Sequence, residues 1–182
     1  MSRVAVFVDG ANMFYAQKQL GWNLDFFRLL DYFSRGHELV AAFYYTGELN
    51  PDPQHEAFLR ALTHHGYTVR KRPVREILDQ QTGKTVRKAN LDVEIAIDML
   101  LTQDQYDVAY LFSGDGDLER VVRELRSRGK RVYVIAKSGM LAFELLNVSD
   151  LPRQYLDDLK AQLERTERRP AAQAGTGAPA GA

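Results

Sequence analysis

Residues Val108–Val122 read VAYLFSGDGDLERVV. Val108 to Phe112 is an unbroken apolar run, and it stops at Ser113-Gly114-Asp115-Gly116-Asp117. A run of that length, rich in Val, Leu and aromatics and closed by glycine, reads as a buried parallel strand. Leu118, Val121, Val122 and Leu125 then recur at helical spacing, so a helix follows. Two carboxylates therefore stand in the turn between a central strand and a helix. That edge of an open α/β sheet is where ligands bind.

The N-terminus has the same form. Val4-Ala5-Val6-Phe7-Val8 is wholly apolar and stops at Asp9-Gly10-Ala11-Asn12. Further along, Leu39 to Tyr45, Tyr67 to Lys71 and Val132 to Ala136 read as strands. Helical spacing marks Met13 to Leu20, Leu24 to Phe33, Gln54 to His64, Ala89 to Leu101, Leu118 to Arg128, Met140 to Leu146 and Pro152 to Glu164. Asn23 or Asp25 is placed to cap the second of these. Between Pro73 and Val86 the chain makes a hairpin excursion turning at Thr82-Gly83. Strands alternating with helices predict a three-layer α/β/α architecture around a central, mainly parallel, five-stranded sheet. With right-handed crossovers, a strand order of 3-2-1-4-5 sets the two acid-tipped strands side by side.

The chain has 182 residues, enough for one domain, here residues 1–166. Residues 167–182, increasingly rich in Ala, Gly and Pro, read as a disordered tail. Formal net charge is zero, so global electrostatics favour neither nucleic acid nor membrane. There is no cysteine, which excludes disulfides, thiolate zinc sites and a cysteine nucleophile. The first apolar run is too short for a signal peptide or a membrane span, so no membrane association and a cytoplasmic location are expected.

Asp92 lies in the first turn of the Ala89–Leu101 helix and shares a face with Ile95, Ala96 and Met99. That face is expected to bury, so Asp92 points toward protein. Asp9, Asp92, Asp115 and Asp117 are thus expected to converge on one pocket. Clustered carboxylates raise one another's pKa, and a hard cation such as Mg²⁺ or Mn²⁺ relieves the repulsion. Such an ion can activate water and stabilise a phosphodiester transition state. Lys88, just before the helix, is a candidate phosphate contact. Taken singly, each acid has a plainer reading. Asp9 after a strand is a turn or cap residue, and Asp117 is placed to cap the helix starting at Leu118. Glu94 and Asp98 read as a solvent-facing or supporting pair. Only the combination points to a metal centre.

Asp9-Gly10-Ala11-Asn12, Lys88 through Asp92 with Asp98, and Ser113-Gly114-Asp115-Gly116-Asp117-Leu118 together resemble the NYN domain, and within it the bacterial LabA-like branch. The resemblance runs in order from Arg3 to Asp150. It implies a PIN-like nuclease fold with strand order 3-2-1-4-5. It also implies acidic residues that bind Mg²⁺ or Mn²⁺, and cleavage of single-stranded or structured RNA. Carried over by position, Asp9, Asp92, Asp115 and Asp117 are the catalytic and metal-binding candidates, Asn12 and Ser113 orient a carboxylate or a phosphate, and Asp98 supports. The function so implied is a metal-dependent ribonuclease. The alternative is a non-catalytic RNA-binding or regulatory module that keeps the acidic pocket.

RNA would meet two basic stretches. Arg70, Lys71, Arg72, Arg75, Lys84, Arg87 and Lys88 form one; Arg120, Arg123, Arg126, Arg128, Lys130 and Arg131 form the other. Arg70 and Arg72 are the leading substrate-binding candidates, against the plain reading of solvated surface charge. Phe14, Tyr15 and Trp22 are candidates for stacking unpaired bases, but core burial is expected for at least two of them, Phe14 first. Association into a homodimer, through the excursion or the last helix, is left open.

Overall fold

The structure, a computed structural model, describes residues 1–48, 52–78, 85–88 and 91–166, with 75–78 and 85–88 described by their backbone. Eight strands and seven α-helices form among these residues. The strands are β1 (Arg3–Asp9), β2 (Glu38–Glu48), β3 (Thr68–Pro73), β4 (Arg75–Leu78), β5 (Thr85–Lys88), β6 (Val108–Phe112), β7 (Arg131–Ala136) and β8 (Gln154–Tyr155). The helices are α1 (Gly10–Leu20), α2 (Phe26–Ser34), α3 (Pro53–His64), α4 (Asp92–Leu101), α5 (Glu119–Ser127), α6 (Phe143–Val148) and α7 (Lys160–Leu163).

One sheet holds six strands in the order β3-β2-β1-β6-β7-β8, every pair parallel. Counting only its own strands, that is 3-2-1-4-5-6. The expected five-strand order is kept and one strand is added. The addition comes from the segment read as a single Pro152–Glu164 helix. Gln154 and Tyr155 instead pair with Ile135 and Ala136 on the open edge of β7. Leu156–Leu159 then makes a 3-10 turn, and only Lys160–Leu163 is α-helical. The reason is tertiary. A free sheet edge offers backbone partners that outweigh local helix propensity. The excursion forms an antiparallel pair, β4 with β5, separate from the main sheet. Its expected turn at Thr82-Gly83 and the expected tail, 167–182, lie outside the described residues.

Period-2 alternation along β1 sends its side chains to two cores. Val6 and Val8 pack with Met13 and Ala16 of α1, Leu29 and Phe33 of α2, Leu62 of α3 and Leu163 of α7. Ala5 and Phe7 pack with Ile95 and Met99 of α4, Val122 and Leu125 of α5 and Leu145 of α6. The three-layer architecture is thus present, with a helix layer on each face. Asp25 caps α2, accepting from Phe27 N at 3.0 Å and Arg28 N at 3.1 Å. No helix among the described residues is long and apolar enough to cross a membrane.

Register positions the site. Val8 of β1 lies beside Phe112 of β6, so the two strands end at the same level. Asp9 and Ser113, the next residues, meet across the gap. Two glycines make the meeting sterically possible. A Cβ on Gly10 would stand 2.5 Å from the Tyr45 carbonyl oxygen, so only glycine lets α1 begin against β2. A Cβ on Gly114 would overlap the Met140 carbonyl oxygen outright. Gly116 is roomier, its nearest neighbour being Ala142 Cβ at 3.2 Å.

Candidate metal centre and cleft

Asp92 is the first residue of α4; Asp115 and Asp117 stand in the turn from β6 toward α5. From each of the three, one carboxylate oxygen lies within 4.8 Å of the other two. Asp92 and Asp115 are half-buried and Asp117 is exposed. Oxygens bound to one Mg²⁺ at 2.0–2.1 Å are at most about 4.2 Å apart. Three short side chains already this close reach one ion through small rotations. The donors are all carboxylate oxygens, with neither thiolate nor imidazole, which suits a hard cation. The donor set therefore fits a hard divalent cation on both spacing and chemistry.

Asp9 is placed differently. Its Oδ1 accepts from Asn12 N at 3.0 Å, capping α1, and its Oδ2 accepts from Ser113 Oγ at 2.9 Å. Asp115 N in turn donates to Ser113 Oγ at 3.2 Å. A chain of hydrogen bonds thus ties the turn after β1 to the turn after β6. Burial pushes the Asp9 carboxyl above the usual Asp range, and the charge of Asp115 adds to this. Hydrogen bonds from Asn12, Ser113 and Ala11 pull the other way. Asp9 still lines the same cleft as Asn12, Asp92 and Asp115. Three of the four predicted carboxylates, Asp9, Asp92 and Asp115, therefore line one cleft. Asp117 joins Asp92 and Asp115 in the group close enough to share an ion, and Asp9 buttresses their turn.

The capping expectation for Asp117 is corrected. The carboxylate that caps is Asp115, whose Oδ1 accepts from Asp117 N at 3.0 Å and starts the 3-10 turn Gly116–Leu118. Asp117 is left facing solvent beside the other two acids.

The predicted substrate-binding arginines are both in ion pairs. Arg70 of β3 holds Asp98 through two 3.0 Å bonds, Nε to Oδ2 and Nη2 to Oδ1. Arg72 Nη1 lies 2.9 Å from Glu94 Oε1. Asp98, read as solvent-facing or supporting, is buried, and Tyr45 Oη donates to its Oδ2 at 3.1 Å. Burial first, and the adjacent Asp98 charge second, hold the Tyr45 phenol well above its usual range, so it stays a neutral donor. Helical spacing carried this signal: Ile95, Asp98 and Met99 fall at i, i+3 and i+4, the buried positions of α4. The second basic stretch is partly neutralised as well, Arg123 pairing with Glu119, Arg126 with Asp150 and Arg128 with Glu124. The Lys88 side chain lies outside the described residues.

The aromatic expectation is reversed. Phe14 is 52% exposed and Tyr15 58%, whereas Trp22 is buried. On α1 the core takes Met13 and Ala16, and the two rings between them face outward into the cleft. The cleft encloses about 850 Å³; Tyr44, Phe58 and Leu91 also line it.

Fold and site together define an α/β protein with an all-oxygen acidic centre beside the switch point of a parallel sheet. More narrowly, the chain belongs to the NYN domain family, whose model matches residues 3–155. It is 45% identical over 172 residues to the low amplitude and bright protein LabA of Synechococcus elongatus, an alignment spanning 92% of this chain and 90% of that one. Among solved structures it is similar to a protein of unknown function from Vibrio parahaemolyticus. That match has a TM-score of 0.74 and 24% identity, and covers 89% of this chain and 96% of that one. At that identity the likeness is one of fold.

Proposed function

We propose that this protein is a divalent-metal-dependent ribonuclease that hydrolyses RNA phosphodiester bonds at Asp92, Asp115 and Asp117, with Mg²⁺ or Mn²⁺ as its cofactor. The observation that carries the proposal is the convergence of three carboxylates from α4 and from the turn after β6, two of which, Asp92 and Asp115, line the cleft. A hard cation bound there supplies a Lewis acid that neutralises phosphoryl charge and lowers the pKa of water. The chain's own residues do the positioning. Ser113 and the N-cap bond of Asp9 hold the two acid-bearing turns in register. The Arg70–Asp98–Tyr45 group fixes α4, and with it Asp92, against β2 and β3. RNA as the substrate rests on the family resemblance and on the aromatic wall of the cleft.

The test is incubation of purified protein with end-labelled single-stranded RNA in Mn²⁺ or Mg²⁺, beside Asp115→Asn. Metal-dependent cleavage lost in the variant is expected; equal cleavage by both proteins, or by neither, overturns the proposal. One observation favours a second reading, a non-catalytic RNA-binding module. Asp9 is committed to Asn12 N and Ser113, which leaves three acids at the centre rather than four. That reading predicts RNA binding that persists in chelator, with no cleavage.

A further inference from the structure

The exposed pair Phe14 and Tyr15 belongs to the aromatic wall of the cleft but has been given no contact of its own. Large aromatic side chains normally bury their area, and a single exposed one needs no explanation. Two consecutive ones lining the same concave cleft as a cluster of acids do need one. Their rings meet edge to face, centroids 5.5 Å apart at 74°. The Lys18 ammonium sits 4.2 Å from the Phe14 centroid and 5.8 Å from that of Tyr15. The sequence puts these side chains together because positions 14, 15 and 18 share the face of α1 opposite Met13 and Ala16. Asp9, which lines the same cleft, caps this helix at its N-terminus, so the aromatic face starts about one turn from that acid.

We propose that Phe14 and Tyr15 form a stacking platform for unpaired bases of a single RNA strand whose backbone passes the Asp92–Asp115–Asp117 centre. Every base has a π-face, so aromatic platforms bind single strands without demanding a sequence, and a nearby cation serves the phosphates. Lys18 is that cation, already drawn to the rings. A second feature of the cleft matches the same ligand. Asn12 lines it, and the Asn12 Oδ1 is buried without a hydrogen-bond partner among the described residues. A buried acceptor left unmatched is costly, and RNA brings donors in its 2′-hydroxyls and base amines. A flat protein partner fits less well, because the rings lie in a concavity of about 850 Å³, the size class of small-ligand sites. A paired duplex does not fit, since its bases are already stacked on one another.

The inference extends the ribonuclease reading to the substrate's form, and its test separates the two. Binding of a fluorescent 12-nucleotide single-stranded RNA, and of a blunt RNA duplex, is measured by anisotropy with the full chain in chelator. The wild type is compared with the double variant Phe14→Ala/Tyr15→Ala and with Phe14→Trp/Tyr15→Phe. Both sites are exposed, so the variants fold, which circular dichroism checks. The alanine pair is expected to weaken single-strand binding by roughly tenfold or more, given the stacking contribution of one base. The duplex should be unaffected, the aromatic pair should restore wild-type affinity, and Mn²⁺ affinity should not change. Unchanged single-strand affinity in the alanine variant, or equal losses for strand and duplex, overturns the inference even if cleavage is intact. No single-strand binding by the wild type overturns it too. A dimer-to-monomer change in the alanine variant with RNA binding intact assigns the rings to a second copy instead, and also overturns it. If the expected losses occur but Mn²⁺ produces no cleavage, the platform stands and the nuclease reading falls.

Discussion

Arg70 of β3 grips Asp98 of α4 with both prongs of its guanidinium, each contact 3.0 Å. The same carboxylate accepts from the Tyr45 phenol of β2. One buried acid thus pins α4 to two strands, and α4 carries Asp92 at its first position. The arginine read from the sequence as a phosphate contact thus also serves as a structural fastener.

Geometry, more than charge, should therefore matter at position 70. Arg70→Lys keeps the charge but loses the planar fork, so it should behave nearly as Arg70→Ala does. Each is expected to lower stability by about 1–2 kcal/mol, a figure moderated because Arg70 is half exposed. Urea denaturation of the three proteins checks this. A lysine variant as stable as the wild type would show that the fork is unimportant.

The two glycines of the acidic turn should differ sharply. Gly114→Ala drives a methyl into the Met140 carbonyl oxygen and must displace the turn. A loss of about 1–3 kcal/mol is expected, together with weaker Mn²⁺ binding. Gly116→Ala meets only the Ala142 methyl at 3.2 Å and should cost less than about 1 kcal/mol. Thermal melts and metal titrations on both variants read the contrast directly.

Asp9 serves as cap and buried acid at once, and two substitutions separate these roles. Its carboxyl is raised above the unfolded value by burial, so the fold favours the protonated form. That contribution is complete below the unfolded pKa and is lost as pH rises through the folded one, so ionised Asp9 costs stability at neutral pH. Asp9→Asn keeps an acceptor for Asn12 N and removes the charge; in chelator at pH 7 its melting temperature should equal or exceed that of the wild type. Asp9→Ala removes the cap and should cost about 1 kcal/mol.

At the other end of β1, the sign is opposite. The Arg3 guanidinium and the Arg3 backbone N–H hold Asp107 down to about 2. Its contribution is present above the unfolded pKa near 3.8 and is lost as pH falls through the folded value. The stability difference between wild type and Asp107→Asn should be constant from pH 7 to 5 and then shrink on acidification. Both side chains are over 40% exposed, so added salt should also reduce it. A difference that does not change with pH would contradict the pairing.

Much of this was legible in the residues. Apolar runs ending in acids marked the two central strands, and the 3-2-1-4-5 order implied by the family resemblance sets them side by side, as they are found. Helical spacing placed Asp92 in the first turn of α4. What escaped was tertiary. Nothing local in Gln154-Tyr155 announces a strand, because its partner is the open edge of β7. Arg70 and Asp98 are 28 residues apart, and only the packed α4–β3 contact turns a charged strand into a clamp. Phe14 read as core because phenylalanine usually is; its exposure follows from Met13 and Ala16 taking the inward positions of α1.

We propose above all that Asp92, Asp115 and Asp117 hold one divalent cation. Titration of the full chain with Mn²⁺, followed by the loss of the free-ion electron paramagnetic resonance signal, tests it directly. Saturable binding is predicted in the wild type, weakened at least about tenfold in each of Asp92→Asn, Asp115→Asn and Asp117→Asn, since every variant removes a charged ligand. Saturable binding that none of the three substitutions alters, or no saturable binding at all, would contradict the account.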